Sequence, residues 1–247
     1  MHRAALAVAL ATILGPAAAA SVAHAQIRSA EDCDAAILAS PETAREDASL
    51  WTRLGGGTVA ELCEAAALEA MGATASAARL LTELAQDRRR AHPADLRAAI
   101  YADAARLWLD AGRPDRARAA LDNLDRIARA TPDDLLLRAR IAAAVADWPA
   151  ALASLDALIA VAPGDARAHA LRAAALRRSG DLGAARDAAE GALALAPTLP
   201  EALFEAAAAA AETGDVAAAE TLWLELIETS PDHDLANLAR RNLVTPD

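Results

Sequence analysis

A fixed interval of 34 residues runs through the second half of the chain. Pro163, Pro197 and Pro231 stand 34 residues apart, and Gly180 and Gly214 keep the same interval. Most of the residues between them differ from one unit to the next. A period of this length is the signature of a solenoid, in which each unit buries its apolar face only by stacking on its neighbours. The repeated positions are therefore predicted to make contacts within and between units.

Each unit is predicted to be a pair of helices. In the unit that starts at Ala166, the first helix ends at Gly180, because glycine tolerates the left-handed backbone of a helix end. Asp181 is placed to cap the second helix, which stops before Pro197. Small residues recur where the two helices are expected to cross, at Ala173, Ala185 and Ala192.

This pattern resembles the tetratricopeptide repeat, a 34-residue helix–turn–helix unit. Three regular units match it over residues 132–231, with Ala146 at the glycine position of the first unit. Two irregular units are predicted over residues 58–131. The first of these is followed by an extended loop that contains Arg88–Arg90. This loop is expected to be a solvated segment, with an anion-docking spot as the alternative. The second irregular unit is expected to have a long second helix.

The remaining residues are assigned to the two ends of the array. Residues 26–57 are expected to form N-terminal capping helices and a flexible joint at Gly55–Gly57, and residues 232–247 a C-terminal capping helix. The resemblance implies an all-α, right-handed solenoid of about five repeats. Arrays of this family serve as interaction scaffolds.

The N-terminus has the pattern of a signal peptide over residues 1–25. Ala4–Leu14 is an apolar run, and Ala23-His24-Ala25 is a small-x-small cleavage pattern. The run is shorter than the ~20 apolar residues that span a bilayer. Export to a bacterial-type periplasm is therefore expected, with no membrane span after cleavage. An uncleaved anchor is the alternative.

The chain contains two cysteines, Cys33 and Cys63. In an exported protein an even number of cysteines favours a disulfide. Their spacing is too wide for a redox CxxC pair, and no histidine accompanies them as in a zinc site. A structural disulfide is predicted, and two buried free thiols are the alternative.

Charge and motif content argue against several function classes. The net charge of −11 opposes binding to nucleic acid or to anionic lipid. His92, His169 and His233 lack metal-site spacing, and neither a G-x-S-x-G elbow nor a phosphate-binding loop occurs. We therefore predict no catalytic residues, no metal and no cofactor.

The resemblance also implies a concave groove formed by the first helix of each repeat. Seven groove residues are predicted for a protein or peptide partner: Arg106, Leu137, Arg140, Arg167, Leu171, Arg177 and Phe204. Arginine pairs well with carboxylates, so the row of arginines favours an acidic segment. The alternative is that these arginines balance charge inside the protein, with Asp103, Asp110 and Glu205 as their partners.

The expected function is an exported interaction scaffold without catalysis. A periplasmic chaperone or envelope assembly factor is the alternative within the binding class, and a broad apolar groove would favour it. A non-catalytic subunit of an enzyme complex is the alternative from another class. An enzyme site without a recognisable motif would be indicated by a deep pocket that holds a perturbed carboxylate or histidine.

Export makes a direct prediction about the mature chain. Intact-mass analysis of the exported protein should give a chain that starts at Gln26, because cleavage follows Ala25. A membrane-associated protein that keeps Met1 would contradict the signal-peptide assignment.

Overall fold

The computed structural model describes residues 27–244, so the predicted signal peptide lies outside the described residues. This part of the chain is all α-helical and contains no strand. Its thirteen helices are α1 (Ala30–Ala39), α2 (Pro41–Arg53), α3 (Gly57–Ala70), α4 (Thr74–Gln86), α5 (Ala94–Asp110), α6 (Pro114–Asp125), α7 (Pro132–Ala144), α8 (Trp148–Val161), α9 (Ala166–Ser179), α10 (Leu182–Leu195), α11 (Pro200–Glu212), α12 (Val216–Thr229) and α13 (Asp234–Val244).

Ten of these helices form five consecutive hairpins, from α3 and α4 to α11 and α12. Each hairpin packs on the next one, as α4 does on α5, α8 on α9 and α10 on α11. Helices α1 and α2 cover the first hairpin, and α13 covers the last one. The predicted all-α repeat solenoid is therefore confirmed. No helix within residues 27–244 is both long and apolar enough to cross a bilayer.

The turn inside each regular hairpin uses the same two devices. Gly180 and Gly214 have φ values of 93° and 84°. The aspartate that follows each glycine accepts a hydrogen bond from a backbone N–H of the next helix, at 3.1 Å from Asp181 to Ala184 and at 3.2 Å from Asp215 to Ala218. The 34-residue period in the sequence therefore records a turn that ends one helix and starts another.

Ala146 adopts the same left-handed turn without being glycine. Its φ is 56°, and it is the only residue other than glycine with a positive φ within residues 27–244. Asp147 still caps α8 by accepting from the N–H of Ala150 at 3.2 Å. An L-residue pays a steric penalty in this conformation because its Cβ approaches the carbonyl oxygen. The first regular repeat thus keeps the turn geometry despite backbone strain.

Small residues fill the helix crossings, as the period predicts. Ala173, Ala185 and Ala192 are at most 1% exposed, and Ala219 is fully buried in the next repeat. Leu226 occupies the third crossing position of that repeat and is also fully buried. Most of the interior is built from alanine, with single leucines between the helices.

The N-terminal pair of helices is tied to the first repeat by a disulfide. Cys33 of α1 is bonded to Cys63 of α3, with 5.9 Å between their Cα atoms. Both residues are buried in one cluster with Ala44, Ala48 and other apolar side chains. The predicted disulfide is present, and it joins the cap to the first hairpin.

The glycine-rich segment before α3, which was expected to be a flexible joint, forms a turn packed against Trp51. The N–H of Gly56 donates to the carbonyl oxygen of Trp51 at 2.9 Å. A Cβ at Gly56 would lie 2.5 Å from the Trp51 indole. Gly55 and Gly57 have φ values of 94° and 63°. Glycine is required here because the indole ring covers the backbone and the chain turns sharply.

The two irregular units differ from the regular ones in their connections. Residues 87–93 form the predicted extended loop, and Arg90 fixes it to the first repeat by bonding to Glu61. The expectation of a long second helix in the next unit is wrong, because α6 ends at Asp125. The additional residues lie instead in the connection 126–131.

Replacing Ala146 by glycine should stabilise the protein. The substitution removes a left-handed alanine that costs roughly 1–2 kcal/mol, and the greater freedom of glycine in the unfolded chain offsets part of this gain. We expect the free energy of unfolding to rise by about 0.5–1 kcal/mol in chemical denaturation. Ala153→Gly, at an exposed position inside α8, is the matched control and should cost about 1 kcal/mol. Destabilisation of equal size by both changes would contradict the strain at Ala146.

Candidate functional site

Two clefts open between the first helices of neighbouring repeats. The larger one, here called the α5–α7 cleft, has a volume of about 660 Å³. The residues that line it are Asp95, Ala98, Ala99, Ala102, Asp103, Arg106, Leu124, Ala128, Arg129, Thr131, Asp133, Asp134, Leu136, Leu137 and Arg140. They come from α5, from α7, from the end of α6 and from the connection 126–131.

Three of the six α5 residues that line the α5–α7 cleft are alanines. The side chains of Ala98, Ala99 and Ala102 end at Cβ, so they fill little of the space between α5 and α7. Opposite them, Leu136 and Leu137 of α7 supply larger apolar surface, and Leu137 is only 8% exposed. The cleft therefore has an apolar floor and apolar walls that can accept side chains of a ligand.

Arg106 is not free to bind a ligand at this cleft. Its guanidinium donates two hydrogen bonds to Glu69 of α3, at 2.7 and 3.1 Å, and Asp110 lies 3.5 Å away. The hydrogen bond to Glu69 is the main reason why the pKa of Arg106 is raised. This pair joins the first helices of two successive repeats.

Asp103 is a carboxylate of this cleft whose ionised form the folded protein disfavours. Loss of hydration between the cleft walls raises the pKa of Asp103, although the residue is open to solvent on one side. The Arg106 guanidinium opposes this effect, and the Glu69 carboxylate adds to it. Because the folded protein disfavours its ionised form, Asp103 reduces stability at neutral pH. A donor group on a ligand would relieve this cost.

The capping residues at the mouth of the cleft are already occupied. Thr131 and Asp134 form a capping box at the start of α7, in which Asp134 accepts from the N–H of Thr131 at 2.8 Å. The N–H of Asp134 donates to the Thr131 hydroxyl at 3.2 Å. These two residues hold the N-terminus of α7 and leave the charges of Arg129 and Arg140 for other contacts.

The smaller cleft lies on the other side of α7 and is here called the α7–α9 cleft. Its volume is about 300 Å³, and it shares Arg140 with the larger cleft. The residues that line it are Ala139, Arg140, Ala143, Trp148, Ala151, Leu155, Leu171, Ala174, Ala175 and Arg178. No carboxylate is among them. The two clefts therefore lie on either side of α7 and have Arg140 in common.

The structure brings four of the seven predicted groove residues to these clefts. Arg106 and Leu137 line the larger one, Leu171 lines the smaller one, and Arg140 lines both. Arg167, Arg177 and Phe204 line neither. Phe204 packs instead against the core between α11, α12 and α13.

Three of the four arginines in the predicted groove form ion pairs with carboxylates of the protein itself. Arg177 donates to Glu205 at 2.8 Å and to Glu212 at 2.7 Å, and its side chain is 12% exposed. Burial acts to lower the pKa of Arg177, but its hydrogen bonds and charge contacts with Glu205 and Glu212 outweigh burial and raise it. Arg167 lies 3.7 Å from Glu201. Within this row, Arg140 alone has no ion pair with any residue of 27–244.

Sequence reasoning missed one ion-pair partner on this surface, and it placed Arg177 and Arg178 together on the groove-facing side. Glu69, the partner of Arg106, lies 37 residues before it, and a search for opposite charges about one period apart would find it. Arg178 lines the smaller cleft, whereas its neighbour Arg177 binds carboxylates. Only the rotation of α9 about its axis distinguishes these two arginines, and the period does not fix that rotation.

The histidines and the arginine-rich loop have structural roles among the described residues. His169 contacts the carbonyl oxygen of Pro163 at 3.1 Å, and the ring of His233 accepts from the N–H of Leu235 at 3.2 Å. In the loop, Arg89 pairs with Asp87 at 3.1 Å. No group of three or more metal-ligating side chains occurs within residues 27–244.

The sequence matches no protein-family profile and no curated protein. Similar solved structures include a chain of the APC/C hetero-tetramer Cut9-Hcn1, with a TM-score of 0.61 and 16% identity over 88% of this chain and 43% of that one. This chain therefore spans less than half of that structure. YrrB, described as a TPR protein with an unusual peptide-binding site, gives a TM-score of 0.58 and 17% identity over 86% of this chain and 100% of its own.

A third similar structure is TTC0263, a thermophilic TPR protein in Thermus thermophilus. Its TM-score is 0.57 and its identity 19%, over 75% of this chain and 98% of its own. At this level of identity the likeness concerns the fold. The chain has the tetratricopeptide-repeat fold.

The Arg177 network gives a stability prediction with a neighbouring control. Arg177→Met should lower the free energy of unfolding by about 2–3 kcal/mol, because Glu205 is left in a mostly buried position without its cation. Arg178→Met should change it by less than about 0.5 kcal/mol, since Arg178 is exposed and has no ion pair with residues 27–244. Chemical denaturation of both variants measures the difference. Equal effects would show that the Arg177 contacts contribute nothing to stability.

Proposed function

We propose that the protein is an exported scaffold that binds an extended segment of a partner protein across its concave groove, without catalysing a reaction. The observation that carries this proposal is the α5–α7 cleft. Its volume of about 660 Å³ is within the range of ligand sites, and its surface is largely apolar. A groove of this kind can accept the side chains of an extended partner segment, while the charged residues at the rim of the groove fix the position of that segment.

The fold supports a binding role of this type. Repeats that stack in one direction produce a long continuous surface, which suits an extended ligand better than a compact one. YrrB, which is similar to this chain in structure, is described by its peptide-binding site. We apply that mode to this chain because its own clefts lie between the first helices of adjacent repeats.

Export to the periplasm is the second part of the proposal. The apolar run and the cleavage pattern in residues 1–25 support it. The disulfide between Cys33 and Cys63 also supports it, because disulfides persist in oxidising compartments. The net charge of −11 favours a partner other than nucleic acid.

A non-catalytic role agrees with the chemistry of the larger cleft. Asp103 has a perturbed pKa, but no histidine, cysteine or serine lines the same cleft. Thr131 is the one hydroxyl residue there, and its hydroxyl is held by the capping box. The cleft does hold the perturbed carboxylate named as the sign of an enzyme site, but Asp103 makes no side-chain hydrogen bond within residues 27–244, whereas general acid–base or nucleophilic catalysis needs a second group within hydrogen-bond reach.

Filling the cleft tests the proposal. A tagged protein with Ala99→Trp, at an exposed position on the wall of the α5–α7 cleft, should co-purify about tenfold less partner after crosslinking in the periplasm. Ala194→Trp, at an exposed position of α10, is the matched control and should leave capture unchanged. Thermal melting of both variants should match the original protein, since neither position is buried.

The pattern of captured proteins separates the alternatives. One or a few discrete partners, lost with Ala99→Trp, support the scaffold. A broad set of unfolded clients would instead indicate a chaperone. Capture of enzyme subunits that is lost with Ala194→Trp and kept with Ala99→Trp would indicate docking through the outer face, and the groove proposal would be wrong.

A further inference from the structure

The α7–α9 cleft differs in charge from its surroundings. Two arginines stand among its lining residues, Arg140 on α7 and Arg178 on α9, and no carboxylate does. The whole chain carries 35 acidic residues against 24 arginines. A cleft with two cations and no anion is therefore unusual in this protein.

Both arginines lack the partners that neutralise their neighbours. Arg140 and Arg178 are exposed, and neither forms an ion pair with any residue of 27–244. Arg177, one residue away, contacts two glutamates, and Arg172 of the same helix lies 2.7 Å from Asp156. The protein thus neutralises the other arginines of α9 near this site and leaves this pair free.

Apolar groups make up the rest of the cleft. Trp148 is half-buried at the start of α8, Leu155 lies about two helical turns further along, and Leu171 faces them from α9. Several alanines complete the floor, so the cleft keeps a volume of about 300 Å³. A ligand that fills it has to present an apolar group and an anion close together.

We propose that the α7–α9 cleft is a specificity subsite that binds an acidic side chain and an adjacent apolar side chain of the partner segment. This inference rests on the proposed function of the groove and names the chemistry that the groove selects. The guanidinium groups of Arg140 and Arg178 bind the carboxylate through charge-assisted hydrogen bonds. The apolar side chain packs against Trp148 and Leu171, which supply the apolar and aromatic surface that central interface contacts use.

Arg140 lines both clefts, and this favours a peptide as the ligand over a small amphiphile. Because Arg140 lines both clefts, a segment that lies in the α5–α7 cleft reaches the α7–α9 cleft by crossing α7. A fatty acid offers the same anion and apolar chain, but nothing links its binding to the larger cleft. The two ligands can be distinguished by experiment. Blocking the α5–α7 cleft should weaken binding of a peptide at the α7–α9 cleft and should not affect binding of a fatty acid there.

A random octapeptide library displayed on phage tests the inference with the intact protein. Panning should enrich peptides in which aspartate or glutamate stands beside a large apolar residue. The double variant Arg140→Gln, Arg178→Gln should lose the acidic preference. Arg113→Gln, which changes an exposed arginine outside both clefts without an ion pair to residues 27–244, is the control and should keep it.

An enriched peptide then gives the quantitative test by fluorescence anisotropy. Replacing its acidic residue with the amide should weaken binding about tenfold, as should the double arginine variant, because two charged hydrogen bonds are lost. Added salt should weaken binding to the original protein and have little effect on binding to the double variant. Circular dichroism melting of the variants verifies that they remain folded.

The outcomes separate this inference from the proposed function. Peptides that are enriched without an acidic preference, and that Ala99→Trp displaces, would overturn the subsite while supporting the groove. Failure to enrich any peptide would overturn both. Binding of decanoate at the two arginines, with no effect of Ala99→Trp and no acidic peptide enriched, would assign the cleft to an amphiphile and overturn the inference.

Discussion

Alanine at the helix crossings is the constraint on which this structure depends. Ala173, Ala185, Ala192 and Ala219 let paired helices approach closely, but each buries little apolar area. Since the hydrophobic contribution scales with that area, a single hairpin of this kind has a small core of its own. Stacking on both neighbours is therefore required for stability, which explains why the chain repeats contact positions and varies the remainder.

Because the alanine-rich core buries little apolar area, ion pairs between repeats also help to hold the repeats together. The chain contains no lysine, so the ion pairs between repeats use the planar guanidinium of arginine. Arg106 reaches back to Glu69, and Arg177 reaches forward to Glu205 and Glu212. A guanidinium can contact two carboxylates at once, which a compact ammonium group does less well. These contacts join α3 to α5 and α9 to α11, whereas Arg140 of α7 and Arg178 of α9 form no ion pair with residues 27–244.

The repeat could be predicted from the sequence, but only part of the residues that line the clefts could. The turn positions at Gly180 and Gly214 and the caps that follow them depend on a few residues near in sequence, so local rules predict them. The disulfide, which joins residues 30 positions apart, was predicted from the even number of cysteines and the expected export. The left-handed turn at Ala146 could be predicted only from its place in the period, since alanine itself disfavours it. The period also predicted the buried crossing positions correctly.

The features that the repeat pattern did not determine share a physical cause. The Gly55–Gly57 segment resembles a joint by composition, and only the covering indole of Trp51 makes it a packed turn. The assignment of Arg177 to the groove depended on helix rotation, which is set by packing against α11 rather than by spacing. The clefts depended on how far α5, α7 and α9 diverge. The position of the Trp51 ring, the rotation of α9 and the spacing of α5, α7 and α9 each depend on contacts between helices. The residue pattern of one repeat does not determine them.

The disulfide gives the two ends of the array different mechanical properties. The two cysteines it joins are 30 residues apart, and the loop it closes lies entirely within the cap and the first helix of the first repeat. A linear array whose units contact only neighbours frays from its ends, and a covalent closure suppresses fraying where it occurs. Within residues 27–244, the last hairpin is covered by α13 through an alanine-rich core and has no disulfide. For the described array we therefore expect opening to begin at α13 and to reach the disulfide-linked cap last, with the two clefts between these regions.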